Sequence, residues 1–377
     1  MTAGKQRNAG HSDRYDRRRF INTLVTTGVS AGLALHLPGE RLFAEPVDAE
    51  TLLTKGVRGL ASGLRFPEGP VALKGGAVLV CESAAGRLTR VRPGGEKELV
   101  ADLGGGPTGA AFGPDGAVYV CNPGAGEWQV IDGLLYPLGP APDNSGGSIQ
   151  RVNIETGEAE VLYSEVDGYR LGAPNDIVFD RSGGFWFTDT GKSHERCRNY
   201  GGIYYARSDG SRISQAAFPM ISPNGIGLSP DGKQLYVADL MEGALLSFDV
   251  VEEGQLAPTP GPMPGKLVAR LDGRLFVDGL AVEESGAICV ATPIKGGISC
   301  WSPDGRLLDR VELPNTLATN ICFGGPEMKT AYITLGGIGR LIAMDWPRPG
   351  LPVAWPQEQN LSISQEQSRP LKDVMHS

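Results

Sequence analysis

The sequence predicts an all-β protein: a six-bladed β-propeller with a central metal site, preceded by an export signal. Two observations carry the fold. First, a hairpin pattern recurs in which a polar residue opens a short apolar strand and a turn glycine follows eight positions later. The pairs are Glu68 and Gly76, Thr108 and Gly116, Asn175 and Gly183, Asn224 and Gly232, and Asp278 and Gly286. They repeat at roughly forty to seventy residues, the spacing of propeller blades. Second, 54 glycines and 28 prolines among 377 residues, with few long helical periodicities, require many turns.

Taken in order, residues 1–49 read as a leader outside the fold. Arg17, Arg18 and Arg19 precede Phe20 and Ile21, and a modestly hydrophobic run covers residues 21–37. The run resembles the core of a twin-arginine export signal and is too weak to leave a stable membrane span after processing. The expectation is export by the twin-arginine machinery to the bacterial periplasm or beyond, with the propeller over residues 50–347.

Blade one opens at Leu64 to Glu68 and continues through Ala77 to Glu82; blade two opens at Pro107 and Thr108 and continues to Asn122. An apolar, aromatic insertion, residues 123–145, follows and reads as a lid over the axial mouth, or else as a pad on a sheet edge. Blade three runs from Asn175 to Asp189, and a polar loop, residues 190–199, carries His194. Blade four is the hairpin from Asn224 to Asp239, the clearest copy of the pattern: an apolar strand, a Pro-Asp-Gly turn and a strand rich in β-branched and aromatic residues. Blade five opens at Asp278. Blade six opens at Asn320 and lacks the glycine turn. Residues 348–377, proline-rich and then polar, read as a mobile tail.

In a propeller the inner strands of all blades begin beside one axis. The six openers Glu68, Thr108, Asn175, Asn224, Asp278 and Asn320 therefore form an oxygen-rich ring suited to a hard divalent cation such as calcium. Asp176, Asp189 and Asp239 read as turn or strand-end hydrogen-bonders, and Glu82 fits either role. Cys81, Cys121, Cys289 and Cys322 lie in apolar runs as buried thiols, and Cys289 and Cys300 fall on consecutive strands where an oxidising compartment could pair them. The net charge of −8 and 7% aromatic content give no support to a nucleic-acid surface. No Gly-x-Ser-x-Gly elbow or phosphate loop is present.

The segments from Pro67 to Val71, Pro174 to Asp176, Pro223 to Ile226, Val277 to Leu280 and Cys322 to Gly325 resemble the regucalcin/gluconolactonase (senescence-marker-protein) family, over roughly residues 60–345. That resemblance implies one divalent ion, calcium foremost, with magnesium, manganese or zinc as alternatives. By position in the motifs, Glu68, Asn224 and Asp278 match direct ligands, and Asn175 a ligand or a group holding water or substrate. Asp278 matches the general base of a lactone hydrolase. Thr108, Asn175 and His194 are the candidate substrate contacts. Sugar-lactone members often carry an arginine where Ala173 stands here, and the apolar insertion leaves room for a less polar lactone. Two other readings stand beside this one: an ester or phosphotriester hydrolase on the same scaffold, and a non-catalytic calcium-binding propeller.

Overall fold

A computed structural model of the chain describes residues 56–194, 196–271, 276–313 and 317–356. The leader, including Arg17 and Arg18, and residues 357–377 lie outside the described residues.

Six sheets of antiparallel strands follow one another around an axis. Blade one is Pro67–Ala72, Val78–Glu82, Arg87–Val91 and Lys97–Asp102, from the axis outwards. Blade two is Ala110–Phe112, Val118–Asn122, Ser148–Val152 and Ala159–Tyr163. Blade three is Pro174–Phe179, Gly184–Asp189, Gly201–Arg207 and Ile213–Met220. Blade four is Pro223–Leu228, Gln234–Asp239, Ala244–Glu252 and Lys266–Arg270. Blade five is Leu280–Val282, Ile288–Ala291, Gly297–Trp301 and Leu307–Glu312. Blade six is Ala318–Gly324, Thr330–Leu335 and Arg340–Asp345, and its outermost strand is Val57–Ala61 from the other end of the chain.

The five turn glycines Gly76, Gly116, Gly183, Gly232 and Gly286 all have φ between 71° and 88°. That left-handed conformation strains any side chain with a Cβ, which is why glycine marks each hairpin. The second strands, such as Val78–Glu82 and Val118–Asn122, are buried at every position because each sheet is covered on both faces. Six apolar clusters result, one at each junction between neighbouring blades, in place of a single common core.

Two expectations change. The segment following blade six does not hang free from residue 348 onward. Arg348 Nε bonds Glu283 at 2.6 Å, the Leu351 N–H bonds Val282 O at 2.9 Å and Trp355 Nε1 bonds Asp180 O at 2.9 Å. Its apolar anchors and one arginine fasten it across the end of the axis where the inner strands finish. The insertion of blade two is a hairpin, Gly126–Ile131 with Leu134–Pro140, and it does not pad an outer edge. Leu135 N–H bonds Gly337 O in blade six at 2.9 Å, and the Trp128 ring lies 4.9 Å from that of Phe66. Both partners belong to the face where inner strands begin, so the hairpin walls one side of the axial mouth, as the lid reading requires.

Candidate metal centre and active site

Each opener sits at the start of an inner strand, and in four blades the ladder is irregular there. Register shifts fall between Glu68 and Val71, Pro174 and Ile177, Pro223 and Ile226, and Ala318 and Asn320. A bulge of this kind re-aims side chains that a regular strand would turn to alternate faces.

The openers are tied to one another in a closed circuit. Thr108 Oγ1 donates to Asn175 O at 2.7 Å, and Thr188 Oγ1 to Asn224 O at 2.5 Å. Gly279 N–H reaches Thr319 O at 2.9 Å, and Thr319 Oγ1 reaches Pro67 O at 2.9 Å. The two remaining junctions are closed by contact. A Cβ on Gly69 would stand 2.2 Å from Thr108 O, and one on Gly225 would stand 2.4 Å from Asp278 O. Glycine directly after the opener is thus what lets adjacent blades meet at the axis. The repeat of opener plus Gly at positions 68–69, 108–109, 224–225 and 278–279 was a readable signal for this ring.

Glu68, Asn224, Asp278 and Asn320 are almost wholly buried, and Asn175 is half-buried. Burial pushes the Glu68 carboxyl well above its ordinary range, and Asp278 and Asp176 push it further. Asp278 is raised by burial and then by Asp176, against the lowering effect of hydrogen bonds from the Asn224 side chain and the Gly279 N–H. Asp176, also buried, is pushed up to about 7 by burial, although the N–H groups of Ile177 and Ile226 and the Asn320 amide bond it. Among the described residues, no lysine, arginine or histidine acts on these three acids. A buried carboxylate without a counter-charge costs several kcal/mol. An oxygen-lined, acid-rich pocket short of positive charge is what a hard cation relieves, so the residues present fit one.

Asp176 is therefore the acid that the sequence reading misplaced: it stands with Glu68 and Asp278 and is not merely a strand-end hydrogen-bonder. Asp189 and Asp239 are such hydrogen-bonders. Asp189 accepts from the N–H groups of Gly172, Ala173 and Gly191, and Asp239 from that of Ser222. Glu82 is structural as well, held by Arg87 Nε at 2.9 Å, Thr89 Oγ1 at 2.6 Å and the Arg65 N–H at 2.7 Å. Burial works against its charge, but those bonds outweigh it and leave the carboxyl below its usual range. Thr108 is buried in the ring, where its hydroxyl serves the Asn175 carbonyl. His194 is exposed, with Nε2 2.9 Å from Asn199 Oδ1 in its own loop, and none of its contacts reaches the ring.

Elsewhere among the described residues, Glu283, Cys289 and Cys300 bring three ligand-type atoms within 4.8 Å of one another; the axial acids do not all crowd so closely. Cys289 and Cys300 face each other across blade five as thiols, Sγ atoms 3.1 Å apart. Burial, then Cys300, pushes the Cys289 thiol well up. Both Glu283 oxygens already accept hydrogen bonds, Oε1 from Trp346 and Cys289, Oε2 from Arg348 and Ser285. This cluster is a satisfied anchor for the crossing segment.

A six-bladed propeller whose inner-strand ends gather acids and amides on the axis is the class this architecture defines. Residues 66–337 match the model of the SMP-30/gluconolactonase/LRE-like region, and the chain belongs to that family. The motif resemblance between Pro67 and Gly325 is borne out. The gluconolactonase of Zymomonas mobilis is 25% identical over 313 residues, 75% of this chain and 80% of that protein. A gluconolactonase structure from Xanthomonas campestris aligns with TM-score 0.61 at 22% identity, over 77% of this chain and 89% of the other. Regucalcin from Agrobacterium tumefaciens, described as a calcium-binding protein, aligns with TM-score 0.59 at 17% identity, over 79% and 96%. The two structures share the fold; the sequence relatives make this chain a distant member of a lactonase family.

Proposed function

We propose that the protein is a divalent-cation-dependent lactonase, with Glu68, Asn224 and Asp278 holding the ion and Asn175 completing its shell or holding water or substrate. The observation that carries this reading is the set of buried axial carboxyls without a basic partner. The bound cation, calcium foremost, would supply Lewis-acid polarisation of the lactone carbonyl and charge balance for the two ligand acids. Asp278 takes the proton of the attacking water. Without a cation its proton affinity is raised by burial and then by Asp176; as a base it depends on its position beside that water. The Asn224 amide and the Gly279 N–H fix its carboxylate while it does so. Trp128 and Phe66, two residues ahead of Glu68, offer the substrate an apolar flank.

The test is a lactone panel on metal-stripped protein with each cation restored, followed by acid release. Cation-dependent opening of a lactone supports the reading. Turnover confined to phosphotriesters or simple esters replaces it with the other hydrolase, and a melting-point loss without any hydrolysis replaces it with a calcium-binding module. Export is a separate proposal, supported by Arg17 and Arg18. Arg17→Lys with Arg18→Lys should strand the protein in the cytoplasm, and unchanged secretion would refute it.

A further inference from the structure

Behind the axial ring, toward the end where the inner strands finish, lies a cavity of about 720 Å³. All six inner strands line it, and so does the crossing segment from Leu351 to Pro356. The larger part of its wall is apolar, with Leu73, Phe112, Leu228, Leu280 and Phe323 from five blades and Trp355 from the segment. Well-packed interiors leave no void of this size, and the volume falls within the range of small-molecule sites. The charge pattern narrows the ligand. Asp176 and Asn320 lie at the inner end, and the rim carries Lys74 and Arg181 against Asp180, Asp231, Glu252 and Glu253. An anionic head would meet an excess of like charge at the rim, whereas an uncharged hydroxyl or carbonyl could accept a hydrogen bond from the Asn320 amide.

We infer that this chamber is a second binding site, behind the proposed catalytic face, for an uncharged molecule with an elongated alkyl chain and one hydroxyl or carbonyl head. The crossing segment acts as its outer wall: the Leu351 N–H and Trp355 Nε1 bonds fasten it to blades five and three. The inference does not depend on lactone hydrolysis, and its readout is binding alone.

The experiment uses the full chain and the neutral fluorescent probe N-phenyl-1-naphthylamine. The expected result is saturable one-to-one binding, displacement by 1-dodecanol, and displacement by dodecanoate weaker by roughly tenfold or more. Ala111→Phe, on the inner strand of blade two, should weaken probe binding by about tenfold. Ala354→Trp, on the crossing segment and at the edge of the cluster between blades two and three, should do the same, and it decides the matter if the first variant fails to fold. Absence of saturable binding overturns the inference, as does equal displacement by dodecanoate or unchanged binding in the folded variants. Binding seen only when the chain is ended at Pro356 also overturns it, because residues 357–377 would then be the occupant.

Discussion

Asp278 carries two proposed duties, ligand and base, and substitution separates them. Asp278→Asn keeps the side chain's size and one oxygen but cannot accept the water's proton. Turnover should fall by about 10²–10⁴ while some cation binding persists, measured as kcat at saturating metal beside calorimetric titration. Near-normal turnover would remove Asp278 from the base role. The acids also set a pH dependence for the metal-free protein. Glu68, Asp176 and Asp278 hold their protons to higher pH when folded than when unfolded, Asp176 up to about 7. Between the unfolded and folded values the unfolded chain has lost protons that the native state retains, so stability falls as pH rises through that window. Chelated protein should melt at a higher temperature near pH 5 than near pH 7.5, and added calcium should narrow the gap. Five of the six openers were legible because each stands at a fixed distance from a turn glycine; Asn320 was placed by its order in the repeat. Asp176 was not, because strand alternation assigns it the opposite face from Asn175 and no sequence pattern announces the bulge that changes this.

The hairpins of the inner two strands could be read directly, since a left-handed turn demands glycine at a fixed place. What joins the elements was less visible. The inserted hairpin was legible as apolar and aromatic, yet only the Trp128 contact with Phe66 and the Leu135 bond to Gly337 assign it to the axial mouth. Trp128→Ala should raise KM for alkyl-substituted lactones several-fold and leave KM for polar ones nearly unchanged, in a steady-state comparison across the panel. An equal change for both groups would mean the hairpin only supports the rim. The crossing segment was misread as mobile because its anchors are single residues separated by prolines, a pattern that does not differ from a linker until their partners are known.

Across the whole molecule, stability resides at the seams between blades. Trp186 sits in the cluster shared by blades three and four, fully enclosed. Trp186→Ala should cost about 3–5 kcal/mol in chemical denaturation, and a loss below 1 kcal/mol would show that the neighbouring blades re-close around the gap. Blade number and order were legible from the repeat. The closing strand was not: Val57–Ala61 is short, contains a glycine and two polar-facing positions, and owes its conformation to Arg340–Asp345. A chain that begins at Leu64 should melt at a lower temperature than the full chain, followed by circular dichroism, because the last blade then ends in an unpaired edge. That pairing also bears on biosynthesis. Among the described residues, the first strand to leave the ribosome pairs with the last, so the circle stays open until that final strand has been made. A message cut short between blade five and Arg340 would release a string of finished blades whose first strand lacks the partner that shuts the circle.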